Sequence, residues 1–364
     1  MRKIGKQEIE DIAVGAALLG TGGGGDPYIG KLMALQAIEE FGEVTLLDAD
    51  EIPDDVLVVP SSMMGAPTVM VEKAPSGAEA IAAFQGLEAY LGKKVYATFP
   101  IEAGGVNSMM PFALAARLGL PVVDVDGMGR AFPELQMVTF YLDGISATPG
   151  VLADEKGNTA VLNTVDNVWT ERIARAATIQ MGGSIMCAIY PMTGKNLKES
   201  GVRNILKLEE EIGKSIRLAK QNNVNPINEV LKKVGGFELF QGKVSDINRK
   251  TETGFAKGIA TIEGLNEYKG ETLQLRFQNE HLIAQTDKRL LCVTPDLIAV
   301  LDAETGLPVT TEGIRYGARC VVIGIPCDPK WRTEKGIAAV GPRYFGYDVD
   351  YVPVEELVKK GVLA

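Results

Sequence analysis

Between residues 44 and 125, short valine-rich runs alternate with stretches whose apolar residues recur at helical spacing. Val44–Leu47, Val56–Val59, Lys94–Thr98 and Pro121–Val125 read as strands, and Ala78–Leu91 and Asn107–Leu118 as helices among them. Such a series predicts an α/β layer with at least partly parallel strands, because parallel neighbours need a crossover long enough to hold a helix. Ahead of it, Ile9, Ile12, Ala13, Ala16, Ala17 and Leu19 mark an amphipathic helix that ends at Gly20. A second helix, Tyr28–Phe41, follows the run Thr21-Gly22-Gly23-Gly24-Gly25-Asp26-Pro27.

Gln136–Tyr141 reads as a further strand and Val165–Gln180 as a helix leading out of this unit. The longest helical pattern, residues 200–222, has Ile205, Leu208, Ile212, Ile216 and Leu218 as its buried stripe. From Phe237 strands dominate: Phe237–Val244, Phe255–Ile262, Thr272–Phe277, Leu282–Gln285, Leu290–Val293, Leu297–Leu301 and Cys320–Ile325. The fold class expected is therefore an α/β N-terminal domain with a mostly β C-terminal domain. At 364 residues two cores are reasonable, and we divide the chain into 1–170, an α/β domain with glycine-rich and acidic loops, and 171–364, linking helices and a β-rich domain.

A formal net charge of -10 disfavours phosphate backbones and anionic lipids, and the basic pairs Lys232-Lys233 and Arg249-Lys250 stand isolated, so neither nucleic acid nor membrane is expected as a partner. No apolar run reaches the roughly eighteen residues of a membrane span. Met1-Arg2-Lys3, followed by Lys6, Glu8, Glu10 and Asp11, lacks the apolar core of a signal peptide, which leads to a cytoplasmic expectation. Cys187, Cys292, Cys320 and Cys327 form no Cys-x-x-Cys pair and read as buried thiols. The single histidine, His281, rules out a site needing several histidines from one chain; between two strands, it is expected in an exposed turn.

Three segments carry candidate chemistry. The backbone of Gly23, Gly24 and Gly25, with Asp26, lies near a helix start where N–H groups can receive an anion. It is neither Gly-x-Gly-x-x-Gly after a strand nor a Walker loop, so no nucleotide motif is present; the alternative is a tight turn. The segment 98–108 follows a strand and opens a helix, where open α/β sheets bind ligands. Glu102 there is a candidate general base, Gly104 and Gly105 would leave room for substrate, and Asn107 or Ser108 would cap the helix; the alternative for Glu102 is a loop salt bridge. At the next strand end, alternation puts Asp124 and Asp126 on one side, able to share a proton, hold a divalent cation or bind a polar ligand, with Arg130 as ion-pair partner or substrate ligand. A structural Asp–Arg pair is the alternative there.

With Gly22–Pro27, Glu102–Ser108, Asp124–Glu134 and the turn Thr294-Pro295-Asp296 in view, the chain resembles the S-methyl thiohydantoin desulfurase family nearly end to end. The resemblance implies an α/β domain followed by a β-rich one, a genome-context relation to hydantoinases and oxoprolinases, and hydrolysis of a small five-membered cyclic substrate. The leading expectation is water attack at C2 with release of methanethiol, Glu102, Asp124 or Asp126 acting as base. Glycine-loop N–H groups or Arg130 would hold the substrate. The alternatives are ring opening of a hydantoin or lactam, alone or as a subunit, and a non-catalytic small-molecule-binding or assembly module. A homo-oligomer is compatible with an enzyme of this size on base rate alone.

Overall fold

A computed structural model describes residues 1–65, 69, 73, 75–252 and 255–362. The alternation of the first half becomes one mixed sheet. Its strands run in the order Arg2–Ile4, Val44–Leu47, Val122–Val123, Ala97–Pro100, Leu57–Gly65, Ser184–Ala188, Gly150–Ala153 and Thr159–Leu162, with Met192–Thr193 also paired to Leu57–Gly65. Val44–Leu47, Val122–Val123, Ala97–Pro100 and Leu57–Gly65 pair in parallel, and the outer pairings are antiparallel. Parallel strands are covered on both faces, which is why they read as continuous apolar runs. Successive residues accordingly enter different cores: Val58 joins Ile12 and Ile216, whereas Val59 joins Phe84 and Leu114.

From Phe237 the chain forms a seven-stranded antiparallel sheet, ordered Leu290–Val293, Glu280–Thr286, Thr272–Gln278, Phe255–Gly264, Phe237–Glu252, Arg319–Ile325 and Leu297–Asp302. Register shifts at Glu238/Phe240 and Val244/Asp246 interrupt the long strand, and such bulges bend a sheet. The sheet curls until the Nδ1 of His281 meets the carbonyl of Ile298 at 3.0 Å, joining two strands far apart in the order. Phe240, Ile262, Leu275, Phe277 and Val322 share its interior. The chain is thus an α/β half followed by a mostly antiparallel β half. No helix among the described residues is long and apolar enough to cross a membrane, and all four cysteines are buried and free.

The helix Ile205–Gln221 crosses Lys6–Leu19 closely enough that a Cβ on Gly15 would lie 2.0 Å from the carbonyl oxygen of Glu209. Arg217 clamps this crossing by donating from Nε and Nη2 to the two oxygens of Asp11, at 2.9 and 2.7 Å. Of the expected stripe, Ile205, Ile212 and Ile216 are buried, but Leu208 is half-buried and Leu218 exposed, since the helix contacts its neighbours on a narrower face.

Two further expectations are corrected. Gln136–Tyr141 is not a strand: Thr139–Leu142 forms a short helix, because Thr139 bonds the Gly127 carbonyl through both N–H and Oγ1 and Phe140 packs against Phe99 and Tyr190. Tertiary packing overrides the β propensity of Val138-Thr139-Phe140. The helix expected from Asn107 begins at Met110, as both candidate caps are committed elsewhere.

The segment Thr294-Pro295-Asp296 turns between two strands, with Asp296 fully buried. Its carboxylate accepts from Cys327 N at 2.9 Å, Arg332 Nη2 at 2.9 Å, Tyr351 Oη at 3.1 Å and Val354 N at 2.7 Å. This one side chain ties the C-terminal segment to the sheet. Asp296→Ala is expected to destabilise the fold by about 3 kcal/mol, the usual scale for breaking a buried charged network; denaturant melts check this, and a loss below ~0.5 kcal/mol would assign the tie to other contacts.

Candidate active site

Glu102 lies just past the strand Ala97–Pro100, in a turn held by Gly127 N donating to the Ile101 carbonyl at 3.0 Å. Its Oε1 accepts from Asn107 Nδ2 at 2.6 Å and its Oε2 from Phe132 N at 3.4 Å. Asn107 also accepts from Met63 N at 2.7 Å, so it spans from the neighbouring strand to the carboxyl and does not cap the helix. Ser108 likewise turns inward, accepting from Gly104 N at 3.1 Å and donating to Glu209 Oε1 at 2.7 Å. Burial pushes Glu102 up to about 7, against the opposing effects of Asn107, Phe132 and the Arg130 charge.

Glu280 joins this acid from the other half of the chain. It follows Asn279, whose φ of 58° makes the tip of the hairpin between Thr272–Gln278 and Glu280–Thr286. That tip docks on the glycine loop: His281 N donates to the Thr21 carbonyl at 2.8 Å, and Thr311 Oγ1 bridges the carbonyls of Gly22 at 2.8 Å and Asn279 at 3.0 Å. A Cβ on Gly23 would sit 2.0 Å from Glu280 Oε1, and one on Gly24 would sit 2.7 Å from Gly104 Cα. The glycines therefore let two loops and a carboxyl meet where any side chain would separate them. Burial, and next the charge of Glu102, raise Glu280 well above the ordinary carboxylate range, with Arg130 opposing.

Glu102, Asn107, Glu280 and Gly24 line one cleft that opens to solvent. Arg175 is the single cation among the described residues that line it. It pairs with Glu171, donates from Nη2 to the Pro133 carbonyl at 2.9 Å and lies over the Phe255 ring at 4.4 Å. The cleft thus combines a carboxyl pushed up to about 7, a second carboxyl raised well above the ordinary carboxylate range and a positioned guanidinium, groups able to exchange protons with, or bind, a polar ligand.

Several expected site residues lie elsewhere. Arg130 is fully buried and pairs with no carboxylate; it donates to the carbonyls of Ala131, Pro295, Asp296 and His281 and to Thr21 Oγ1. Its charge opposes the rise of both acids, while its N–H groups are taken up by these partners. Asp124 and Asp126 are held by different partners. Asp124 accepts from Leu206 N at 2.8 Å and Lys207 N at 3.3 Å and borders a separate recess, while both oxygens of Asp126 accept from Gly129 N at 2.9 Å. The strand breaks between Val123 and Val125, so simple alternation does not hold, and among the described residues no three acid, cysteine or histidine side chains converge as a metal site.

Asp26 caps the second helix through Tyr28 N and is exposed. Gly25, Gly104 and Gly105 act in the crossing of the two loops, with a Cβ on Gly105 falling 2.3 Å from the Gly25 carbonyl oxygen. Of the eleven candidates, Glu102, Gly24 and Asn107 border the cleft. His281 is not exposed: it lies fully buried in its strand under Gly22, and burial lowers its pKa to about 4, leaving the ring neutral. Glu280 and Arg175 were absent from the candidates; the only sequence sign of Glu280 was a carboxylate beside a turn-forming asparagine and the lone histidine.

Comparison with known proteins gives a consistent assignment. The S-Me-THD-like N-terminal domain family matches residues 7–164, and the S-Me-THD-like C-terminal domain family matches residues 165–354. A solved protein from Chromobacterium violaceum shares the fold, with a TM-score of 0.79 at 23% sequence identity over 97% of this chain and 100% of that one. No curated protein matches. The paired domain matches, in order and nearly end to end, place this chain in the S-Me-THD-like family.

Proposed function

We propose that the cleft hydrolyses an S-methyl thiohydantoin at C2, releasing methanethiol and leaving a hydantoin. The observation that carries this reading is the pair of buried carboxyls, Glu102 and Glu280, that line one cleft, with Glu102 pushed up to about 7 and Glu280 raised well above the ordinary carboxylate range; the family assignment supports the choice of ring. C2 of such a ring is bonded to sulfur and double-bonded to a nitrogen. Glu280, whose pKa burial raises well above the ordinary carboxylate range, gives its proton to that nitrogen and makes C2 more electrophilic. Glu102 takes a proton from water as the oxygen attacks C2. The tetrahedral intermediate then expels methanethiolate, which receives the proton held by Glu102. The new hydroxyl becomes the C2 carbonyl as its proton returns to Glu280. One water is consumed, the ring nitrogen and the sulfur each gain one proton, and both carboxyls are restored.

Thiol release from a synthetic S-methyl thiohydantoin, followed with a thiol-reactive chromophore, tests the reading. A ring-opened acid in place of thiol would move the reaction to an amide carbon. Arg175 is suited to hold a ring carbonyl or an anionic ring substituent. Arg175→Ala is therefore expected to raise KM about tenfold with kcat within ~3-fold, the pattern of lost uniform binding; an unchanged KM would remove Arg175 from substrate recognition.

A further inference from the structure

Beside the carboxyls, the cleft has a lining of a different kind. Met64, Ile101, Met128, Phe132 and Leu135 all line it and all belong to one buried apolar cluster. Strand alternation separates Met64 from Met63. Met64 joins this cluster; Met63, which also lines the cleft, packs with the opposite one and holds Asn107 through its backbone. The wall is rigidly backed. Phe132 has the Arg130 guanidinium over its ring at 4.3 Å and Trp331 edge-on at 5.2 Å, and Trp331 Nε1 donates to the Met128 carbonyl at 2.7 Å. The wall also adjoins the base directly: Phe132 N lies 3.4 Å from Glu102 Oε2, and Ile101 precedes Glu102 in the chain.

Resting on the hydrolase reading, we infer that Met64, Met128 and Phe132 form the leaving-group subsite, one that takes a small alkylthio group and excludes larger ones. Two thioethers and an aromatic ring give a polarisable, apolar surface suited to a methylthio group. A water activated by Glu102 attacks the carbon that bears the sulfur, so the departing sulfur leaves against the surface that adjoins Glu102. The buttressing by Arg130 and Trp331 denies the wall the freedom to retreat from a longer chain.

The test is a series of S-methyl, S-ethyl and S-propyl thiohydantoins with the same ring substituent, assayed by thiol release with wild type, Met64→Ala, Met128→Ala and Met64→Leu. Wild type is expected to favour S-methyl over S-propyl by at least about tenfold in kcat/KM, the scale by which a pocket senses added methylenes. Each alanine variant is expected to shift the S-propyl to S-methyl ratio about tenfold toward the larger group, while Met64→Leu, similar in volume, keeps the wild-type order. The ratio is read within each variant, so general loss of activity does not mimic the result, and Met128→Ala carries the test if Met64→Ala does not fold. Wild-type turnover with a ratio unmoved in the alanine variants overturns the subsite alone. Failure of wild type to release thiol from any of the three overturns the reading of hydrolysis at C2, and the subsite with it.

Discussion

Glutamine at position 102 is expected to lower kcat for thiol release by about 10²- to 10⁴-fold, the usual contribution of a positioned acid–base group, while making the folded protein more stable above pH 7. The two effects share one cause. Burial lifts the Glu102 carboxyl from 4.5 to about 7, so between those values the folded state holds a proton that the unfolded chain releases. Stability tied to this group is fully present below pH 4.5, is lost as pH rises through 7, and amounts to roughly 3 kcal/mol from a shift of that size. Glutamine stays neutral, and its carbonyl can still accept from Asn107, so the variant escapes that loss. Wild-type kcat/KM is expected to rise with pH and level off above about 7, as the base is freed; the variant's residual rate lacks this limb. Thiol release across pH 5–9 and denaturant melts at pH 5 and pH 8 check both halves. A variant rate within threefold of wild type would remove Glu102 from the chemistry.

How much of this was legible in the sequence depends on how far apart the parts lie along the chain. The alternation from Val44 to Val125 and the later strand run carried the layer order, because burial on two faces or one leaves a local pattern. Glu102 was legible for a similarly local reason: it follows a strand end, where α/β sheets present ligand-binding loops. Glu280 was not, because its place depends on a hairpin tip docking on a glycine loop more than 250 residues earlier, as the 289-residue separation of Thr311 and Gly22 within that same contact illustrates. The glycines were visible, but their reason was not; they admit Glu280 and the Gly104 loop, a need that exists only in three dimensions. Arg130 was misread because a cation near two aspartates suggests an ion pair, whereas its donors are spent on four backbone carbonyls and a threonine hydroxyl. Local charge pattern does not reveal such a cage.

The second acid can be tested from both ends of its contact. Glu280→Gln is expected to lower kcat by about 10²-fold or more, since an amide cannot give a proton to the ring nitrogen or take one back. Because Glu280 titrates well above the ordinary range, wild-type activity should fall as pH rises through its pKa, and this alkaline limb should vanish in the glutamine variant. Gly23→Ala approaches the same group without altering it. Gly23 is not among the residues with positive φ, so alanine fits its backbone, but the added methyl would lie 2.0 Å from Glu280 Oε1 and 2.5 Å from Cδ. The carboxyl must swing away. A displacement on the ångström scale commonly costs about 10²-fold, so the alanine variant should approach Glu280→Gln in rate, and the double variant should fall little below either single one, because both remove the same function. If Gly23→Ala remains folded and fully active, the glycine run is a turn and nothing more, and Glu280 does not act from the position seen here. If the double variant instead loses the product of the two single effects, the loop contributes something to catalysis beyond seating this carboxyl, and the N–H groups of the glycine loop become the next donors to examine.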